Sequence, residues 1–385
     1  MRPANSVMAA LGTTVFEVMS RLSEQHQSVN LGQGFPDDPG PDDVRAKAAE
    51  EAVHGWNQYP SMMGVPELRQ AVADHDRRFY GIELDWQREV MVTSGGTEAL
   101  AAALFGLLEP GDEAVLFQPL YDSYLPIVRR AGATPRLVSL ALPDWSFTAA
   151  DLDRAFSERT KVVVLNNPLN PAGKVFTRAE LDLLAEYVER FDAYVVCDEV
   201  YEHLVFDGRA HHSFLALPGM RERAVKIGSA GKTFSLTGWK VGYVSAAADT
   251  LTPIAKTHQF LTYTTPPNLQ QGVALGLRKS DDYFADLAAA MAAKRDRLAA
   301  GLKQLGFDVL ACGGAYFLCV DIRSVGWEGD DVAFCRWLTT DVGVTAIPVS
   351  AFYDEAPLTT VARFCFCKKD DTLDRALDRL AKQFG

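Results

Sequence analysis

The chain predicts a doubly wound α/β fold, and three observations carry that prediction. Short runs rich in β-branched residues alternate with helical segments over the first two thirds of the sequence, the pattern of a mainly parallel sheet with helices on both faces. The length of 385 residues, with 48% hydrophobic and 23% charged residues, is globular and long enough for one large core and a smaller satellite. After Pro266 the alternation gives way to long helical stretches and then to mixed strands and helices.

Taken in chain order, the first forty residues read as an arm, with an amphipathic stretch from Val15 to Glu24 and a Gly/Pro-rich loop from Gly32 to Pro41. Buried strands follow at Val90 to Thr93, Ala114 to Phe117, Lys161 to Leu165, Tyr194 to Cys197, Val225 to Ile227 and Val241 to Ser245. Helices fall between them at Glu98 to Leu108, Tyr124 to Ala131 and Arg178 to Phe191. Beyond Pro266, residues Gln270 to Leu277 and Asp281 to Leu305 read as a long helical stretch ending at Gly306. Strands at Tyr316 to Asp321 and Val361 to Cys365, with helices at Asp331 to Asp341 and Thr372 to Phe384, complete a small α+β domain. The division expected is an arm over residues 1–40 that joins the small domain, a large domain over 41–284 and a small one over 285–385.

A formal net charge of −12 works against nucleic acid and anionic membranes, since a phosphate backbone requires a basic footprint. The six cysteines are scattered without metal-ligand spacing; Cys365 and Cys367 alternate in an apolar run and read as core, so no metal is expected. The apolar run from Ala99 to Leu108 is too short to span a bilayer, and the N-terminus lacks a signal-peptide succession, so a cytoplasmic protein is expected.

In an open parallel sheet ligands sit beyond the carboxyl ends of the strands, which directs attention to the residues just after each one. Ser94-Gly95-Gly96-Thr97 leads into a helix, and such a turn lets backbone N–H groups and a helix N-terminus face an anion. Taken alone it is equally a tight strand-to-helix turn, and the G-x-G-x-x-G spacing of a dinucleotide site is missing. Asn166-Asn167-Pro168-Leu169-Asn170-Pro171-Ala172-Gly173 is dense in turn formers and holds amide side chains at a strand end. Asp198 closes another strand, where a buried acid is costly unless a positive group faces it. The segment from Ser229 to Tyr243 then places Lys232 and Lys240 among small, hydroxyl and aromatic residues, surroundings that depress a lysine pKa toward the nucleophilic amine.

Ser229-x-x-Lys232 followed by Thr237-Gly238-Trp239-Lys240-x-Gly242 resembles the cofactor-lysine signature of the class I/II aminotransferases, pyridoxal 5'-phosphate enzymes of fold type I. Asn170-Pro171-x-Gly173, Asp198-Glu199-x-Tyr201 and Arg363 stand in the order that family shows, so the resemblance covers nearly the whole chain. Within it, Leu31 to Asp37, Asn57-Gln58-Tyr59, Tyr121 to Tyr124 and Asp198 to His203 are similar to two neighbouring groups. One holds the kynurenine aminotransferases, glutamine transaminase K and bacterial methionine aminotransferases; the other holds the bacterial N-succinyldiaminopimelate aminotransferases.

The resemblance implies a large domain with a mainly parallel seven-stranded sheet. It also implies transamination between an L-amino acid and a 2-oxo acid by a ping-pong route, with β-elimination from cysteine S-conjugates as the alternative on the same scaffold. Lys232 would carry the cofactor as a Schiff base and move the substrate proton, Asp198 would keep the ring nitrogen protonated, and Tyr201 and Asn170 would bond the ring hydroxyl. Tyr121 would stack on the ring, while Gly96, Thr97, Ser229 and Lys240 would hold the phosphate. Lys240 departs from the arginine of many relatives and supplies charge without a planar fork. Arg363 and the Gly34 backbone would take the substrate α-carboxylate, with Asn170 touching it too. Phe16 and Tyr263, with Thr97 nearby, would border the side-chain pocket, and Tyr59 would reach the phosphate of a neighbouring subunit in a homodimer with shared sites. No arginine stands where a second substrate carboxylate would need it, which counts against a strict aspartate enzyme. A nicotinamide protein lacks its fingerprint here, and a regulator built on this scaffold lacks a basic DNA-binding module.

Overall fold

The computed structural model describes residues 2–385. Seven strands, β1 (Val90–Thr93), β2 (Glu113–Gln118), β3 (Thr134–Ser139), β4 (Thr160–Asn166), β5 (Tyr194–Asp198), β6 (Ala224–Ser229) and β7 (Gly242–Ala246), make one sheet in the order β1-β7-β6-β5-β4-β2-β3. Neighbours pair parallel except around β7, which is antiparallel to both β1 and β6. The fold is thus α/β, with a mostly parallel sheet flanked by helices. β1, β2, β6 and β7 are buried at every residue, which explains why their sequences are continuous apolar runs rather than alternating ones.

Because β7 runs against its neighbours, its beginning lies at the same edge as the ends of β1 and β6. The register aligns Gly242 with both Thr93 and Ser229. The residues before Gly242 and those after Thr93, Asn166, Asp198 and Ser229 therefore converge on one edge of the sheet. Sequence reasoning missed β3, an edge strand whose Pro135 and Arg136 break the apolar signature.

A second sheet contains β8 (Asp308–Val309), β9 (Phe317–Asp321), β10 (Ile347–Pro348) and β11 (Val361–Cys365), antiparallel in the order β10-β11-β9-β8. The arm joins this part of the chain: Val29–Asn30 pairs in parallel with Val344–Thr345, and Leu31 O accepts a bond of 2.7 Å from Cys365 N. The helical stretch expected from Gln270 to Leu305 is two helices, Pro267–Leu277 and Asp281–Gln304, and the helix expected to end at Asp341 gives way at Trp337 to a wider π turn over Leu338–Val342. Helices Asp42–His54, Pro66–Tyr80 and Ala248–Leu261 add to those expected. All six cysteines are buried and unbridged, and among the described residues no helix is long and apolar enough to cross a membrane.

One charged cluster lies inside the large sheet's packing. Lys226 on β6 reaches Asp76 at 2.9 Å and Glu202 at 2.8 Å, and all three are buried. His75 and His203 meet beside it, Nε2 to Nε2 at 2.6 Å, so one ring donates and the other accepts. His75, Glu202 and His203 are close enough to hold a metal ion, but Lys226 already pairs with Glu202 Oε2 and the two imidazoles bond each other.

Candidate active site

The edge toward which β1, β4, β5 and β6 point and from which β7 departs opens into a cavity of about 360 Å³. Twelve of the residues singled out from the sequence line it: Phe16, Gly34, Gly96, Thr97, Tyr121, Asn170, Asp198, Tyr201, Ser229, Lys232, Lys240 and Arg363. The two others lie outside. Tyr59 and Tyr263 pack edge to face at 5.6 Å on the surface, 80% and 42% exposed, so Tyr263 does not border the cavity of its own chain as expected.

Lys232 stands on the one-turn helix Ala230–Thr233 that follows β6. Its Nζ donates to Tyr316 Oη at 2.9 Å and points at Gly34 O at 3.5 Å. Burial lowers its pKa, outweighing the opposite pull of Cys367, Cys365 and Asp198, so the free amine is more accessible than on a surface lysine.

Asp198 ends β5. Tyr124 donates to its Oδ2 at 2.6 Å, while Asn166 Nδ2 donates to its backbone carbonyl at 2.8 Å. Its Oδ1 is buried without a partner in the protein. Burial raises the pKa of this carboxyl, and a donor brought to Oδ1 would complete its bonding. The protonated ring nitrogen of pyridoxal 5'-phosphate is such a donor, so the residues present fit that group. Tyr201 lies beside Asp198 with its ring 5.7 Å from Lys232 Nζ. Burial also pushes the phenol of Tyr121 up to about 12, so it stays neutral and can lie against an aromatic ring.

At the other end of the cavity, Gly95 turns the chain with φ of +83° into the helix Gly96–Leu107. That positive φ is what calls for glycine, since a Cβ there would make only an ordinary contact with Lys240 Cε at 3.4 Å. Backbone N–H groups, Ser229 and the Lys240 ammonium together suit a phosphate.

Arg363 comes from β11, 1% exposed, with Nη1 on Asn170 Oδ1 at 2.9 Å and Nη2 on Gly32 O at 2.6 Å. Its Nε has no partner, and among the described residues no carboxylate forms an ion pair with it. A buried guanidinium in that condition is costly until an anion enters. Phe317, Phe352 and Phe16 surround it at 4.1, 5.1 and 5.3 Å from their ring centres.

A strap over residues 32–37 covers this corner. Arg363 holds it at Gly32 O, Tyr316 at Gly34 O (2.6 Å) and Lys368 at Phe35 O (2.8 Å), while Gln33 Nε2 bonds Ser20 Oγ on the helix Val15–His26. A Cβ on Gly34 would meet Phe317 Cζ at 2.9 Å, which is why the strap passes so close only as glycine. The site roles read from the sequence did not include Tyr316, Tyr124, Asn166 and Lys368. Tyr316 had only the signature of a core strand residue, and nothing local marks a contact with a lysine 84 positions earlier.

The sequence profile of a family described as aminotransferase class I and II matches residues 26–380. A probable N-succinyldiaminopimelate aminotransferase of Mycobacterium tuberculosis is 44% identical over 381 residues, covering 96% of each chain. The methionine aminotransferase of Escherichia coli is 41% identical, covering 97% of each, and the kynurenine–oxoglutarate transaminase of Dictyostelium discoideum 38%, covering 97% of this chain and 95% of the relative. Among solved structures, the N-succinyldiaminopimelate aminotransferase of Mycobacterium tuberculosis superposes with a TM-score of 0.96 at 43% identity, over 99% of this chain and all of the other.

Proposed function

As the chain belongs to the class I and II aminotransferases, a pyridoxal-phosphate-dependent family, we propose that its transamination runs on Lys232, Asp198 and Arg363, with a donor of neutral side chain. The observation that carries this is the meeting of three incomplete groups in one cavity: an amine of lowered pKa, a carboxylate oxygen without a donor and a buried guanidinium without an anion. Pyridoxal 5'-phosphate, when bound, supplies an aldehyde for the amine and an electron-withdrawing ring for the charge left at the donor's α-carbon. Lys232 Nζ removes the α-proton and returns one on the other side of the reaction. Asp198 Oδ1, with Tyr124 holding the carboxylate in place, would accept from the ring N–H, and Tyr201 and Asn170 would bond the ring hydroxyl. Tyr121 would stack on the ring. Gly96, Thr97, Ser229 and Lys240 would hold the phosphate. Arg363, Asn170 and the Gly34 backbone grip the α-carboxylate and thereby aim the α-proton at Lys232.

Lys232, Lys240 and Arg363 are the cations lining the cavity, and each is committed in this scheme. Of the other lining side chains, Phe16, Leu100, Val200, Val241 and Phe317 are apolar, and Gln33, Asn166 and Thr237 are polar but uncharged. This supports a donor with one carboxylate and an apolar, sulfur-containing or amide side chain. The 44% likeness to the N-succinyldiaminopimelate relative favours a second reading, in which a neighbouring subunit meets the distal carboxylate. None of the relatives reported above is named for β-elimination. The homodimer with Tyr59 on the partner's phosphate, a place in the cytoplasm, and the division into 1–40, 41–284 and 285–385 belong to the same proposal.

Spectral titration of the purified enzyme with methionine, glutamine, kynurenine and N-succinyldiaminopimelate tests the donor. The neutral amino acids should convert the cofactor at lower concentration; preference for the diaminopimelate derivative would replace the first reading by the second. Borohydride reduction and peptide mapping should find the pyridoxyl group on Lys232, and its absence there would remove the scheme.

A further inference from the structure

We propose that Tyr316 is a positioning residue for Lys232, fixing the direction in which the lysine nitrogen presents its lone pair and tying that direction to the strap over the donor's carboxylate. The proposal rests on Lys232 being the cofactor-bearing amine.

Tyr316 is 1% exposed and comes from the other part of the chain, at the entrance to β9. Its ring is held edge to face by Phe317 at 4.7 Å and by Tyr201 at 5.1 Å, which leaves the hydroxyl little freedom. A carbonyl can only accept, so the hydroxyl proton goes to Gly34 O at 2.6 Å. What the oxygen then offers Lys232, at 2.9 Å, is a lone pair. One N–H of the amine must donate to it, and a second points to Gly34 O at 3.5 Å. A neutral primary amine has two N–H bonds and one lone pair. With both N–H bonds engaged on the strap side, the lone pair faces away, into the cavity. A base must point that lone pair at the proton it takes, and an amine free to rotate would do so only part of the time.

Asp198 on β5, Tyr201 after it, Arg363 and Cys365 on β11, Cys367 beyond it and Lys240 across the cavity also face this amine. Among the described residues, Tyr316 and Gly34 are the hydrogen-bond partners of Nζ. Gly34 lies two residues from Gly32, whose carbonyl holds Arg363. The base and the carboxylate grip are therefore joined through one short segment, and seating the donor's carboxylate also sets the base.

The test is Tyr316→Phe, which keeps the ring packing and removes only the hydroxyl. In the cofactor-free protein, reductive methylation of Lys232 followed by peptide mapping reads its titration directly. A hydrogen-bond acceptor favours the ammonium form, so its loss should move the labelling midpoint to lower pH, with about tenfold more reactive amine at a given pH. In the loaded enzyme the single-turnover rate with donor should fall about tenfold or more, the donor KM should hold, and the α-deuterium isotope effect should rise. A wild-type labelling midpoint in Tyr316→Phe overturns the proposal, whatever the rate. Should that variant fail to fold, 3-fluorotyrosine at position 316, a weaker acceptor of almost the same shape, should give a smaller shift of the same sign; no shift overturns it equally. Failure of borohydride trapping on wild-type Lys232 would instead strike the assignment on which it rests.

Discussion

At the scale of single residues, the site depends on groups whose bonding is incomplete in the protein alone. Arg363 donates to Asn170 and Gly32 yet has no anion, and three phenyl rings surround its guanidinium. Lysine at this position would keep the charge but lose the fork that serves two carbonyl oxygens and a carboxylate at once. Arg363→Lys should raise the donor KM by about tenfold or more, with a smaller effect on kcat, as steady-state kinetics would register. Wild-type KM in that variant would take the carboxylate away from Arg363. The place of these residues is legible without coordinates, because Lys232 and Asn170 follow, and Asp198 ends, strands whose apolar runs mark them. Tyr316 and Lys368 are different: their meaning comes from partners hundreds of positions away, and no local pattern records such a partner.

At the scale of elements, apolar runs reveal the strands that are buried on both faces, while β3 escapes notice because an edge tolerates Pro135 and Arg136. Helix Pro66–Tyr80 is obscured for a related reason. Its buried face includes Leu68, Ala71 and Val72 but also Arg69, His75 and Asp76, so the apolar stripe is interrupted by charge. The Asp76 charge is met by Lys226 on β6, and removing that lysine would leave two carboxylates buried together. Lys226→Met should cost about 3–5 kcal/mol in chemical denaturation at neutral pH. The cluster also sets a pH dependence. Burial would raise the carboxyl pKa values of Asp76 and Glu202, yet Lys226 and the neighbouring imidazoles outweigh it and hold both below the ordinary range. Their stabilisation is complete above the unfolded carboxylate values and is lost as pH falls through the folded ones. His203, pushed down to about 3 chiefly by burial, adds a penalty as the unfolded chain takes up its proton below about pH 6.5. The thermal midpoint should therefore fall from about pH 6.5 downward, through His203 first and through the carboxylates as well below about pH 4, and His203→Asn should flatten the part above about pH 4.5. A flat wild-type profile would contradict this reading of the cluster.

At the scale of the whole molecule, Trp56, Tyr59, Phe260 and Leu261 are exposed by 68, 80, 83 and 47%, and Tyr263 packs against Tyr59. Large apolar side chains exposed in such number suit a second copy of the chain. The enzyme should sediment as a dimer, and Phe260→Asp should yield monomers with weakened cofactor retention, measured by absorbance after gel filtration. A wild-type monomer with full activity would exclude shared sites.

The strap has a consequence for how the protein comes into being. Gly32 and Phe35 are fastened by Arg363 and Lys368, contacts that close loops of 331 and 333 residues. On a ribosome Lys232 emerges well before Arg363 and Lys368, so a nascent chain stopped short of Arg363 carries the strap without either of these two fastenings.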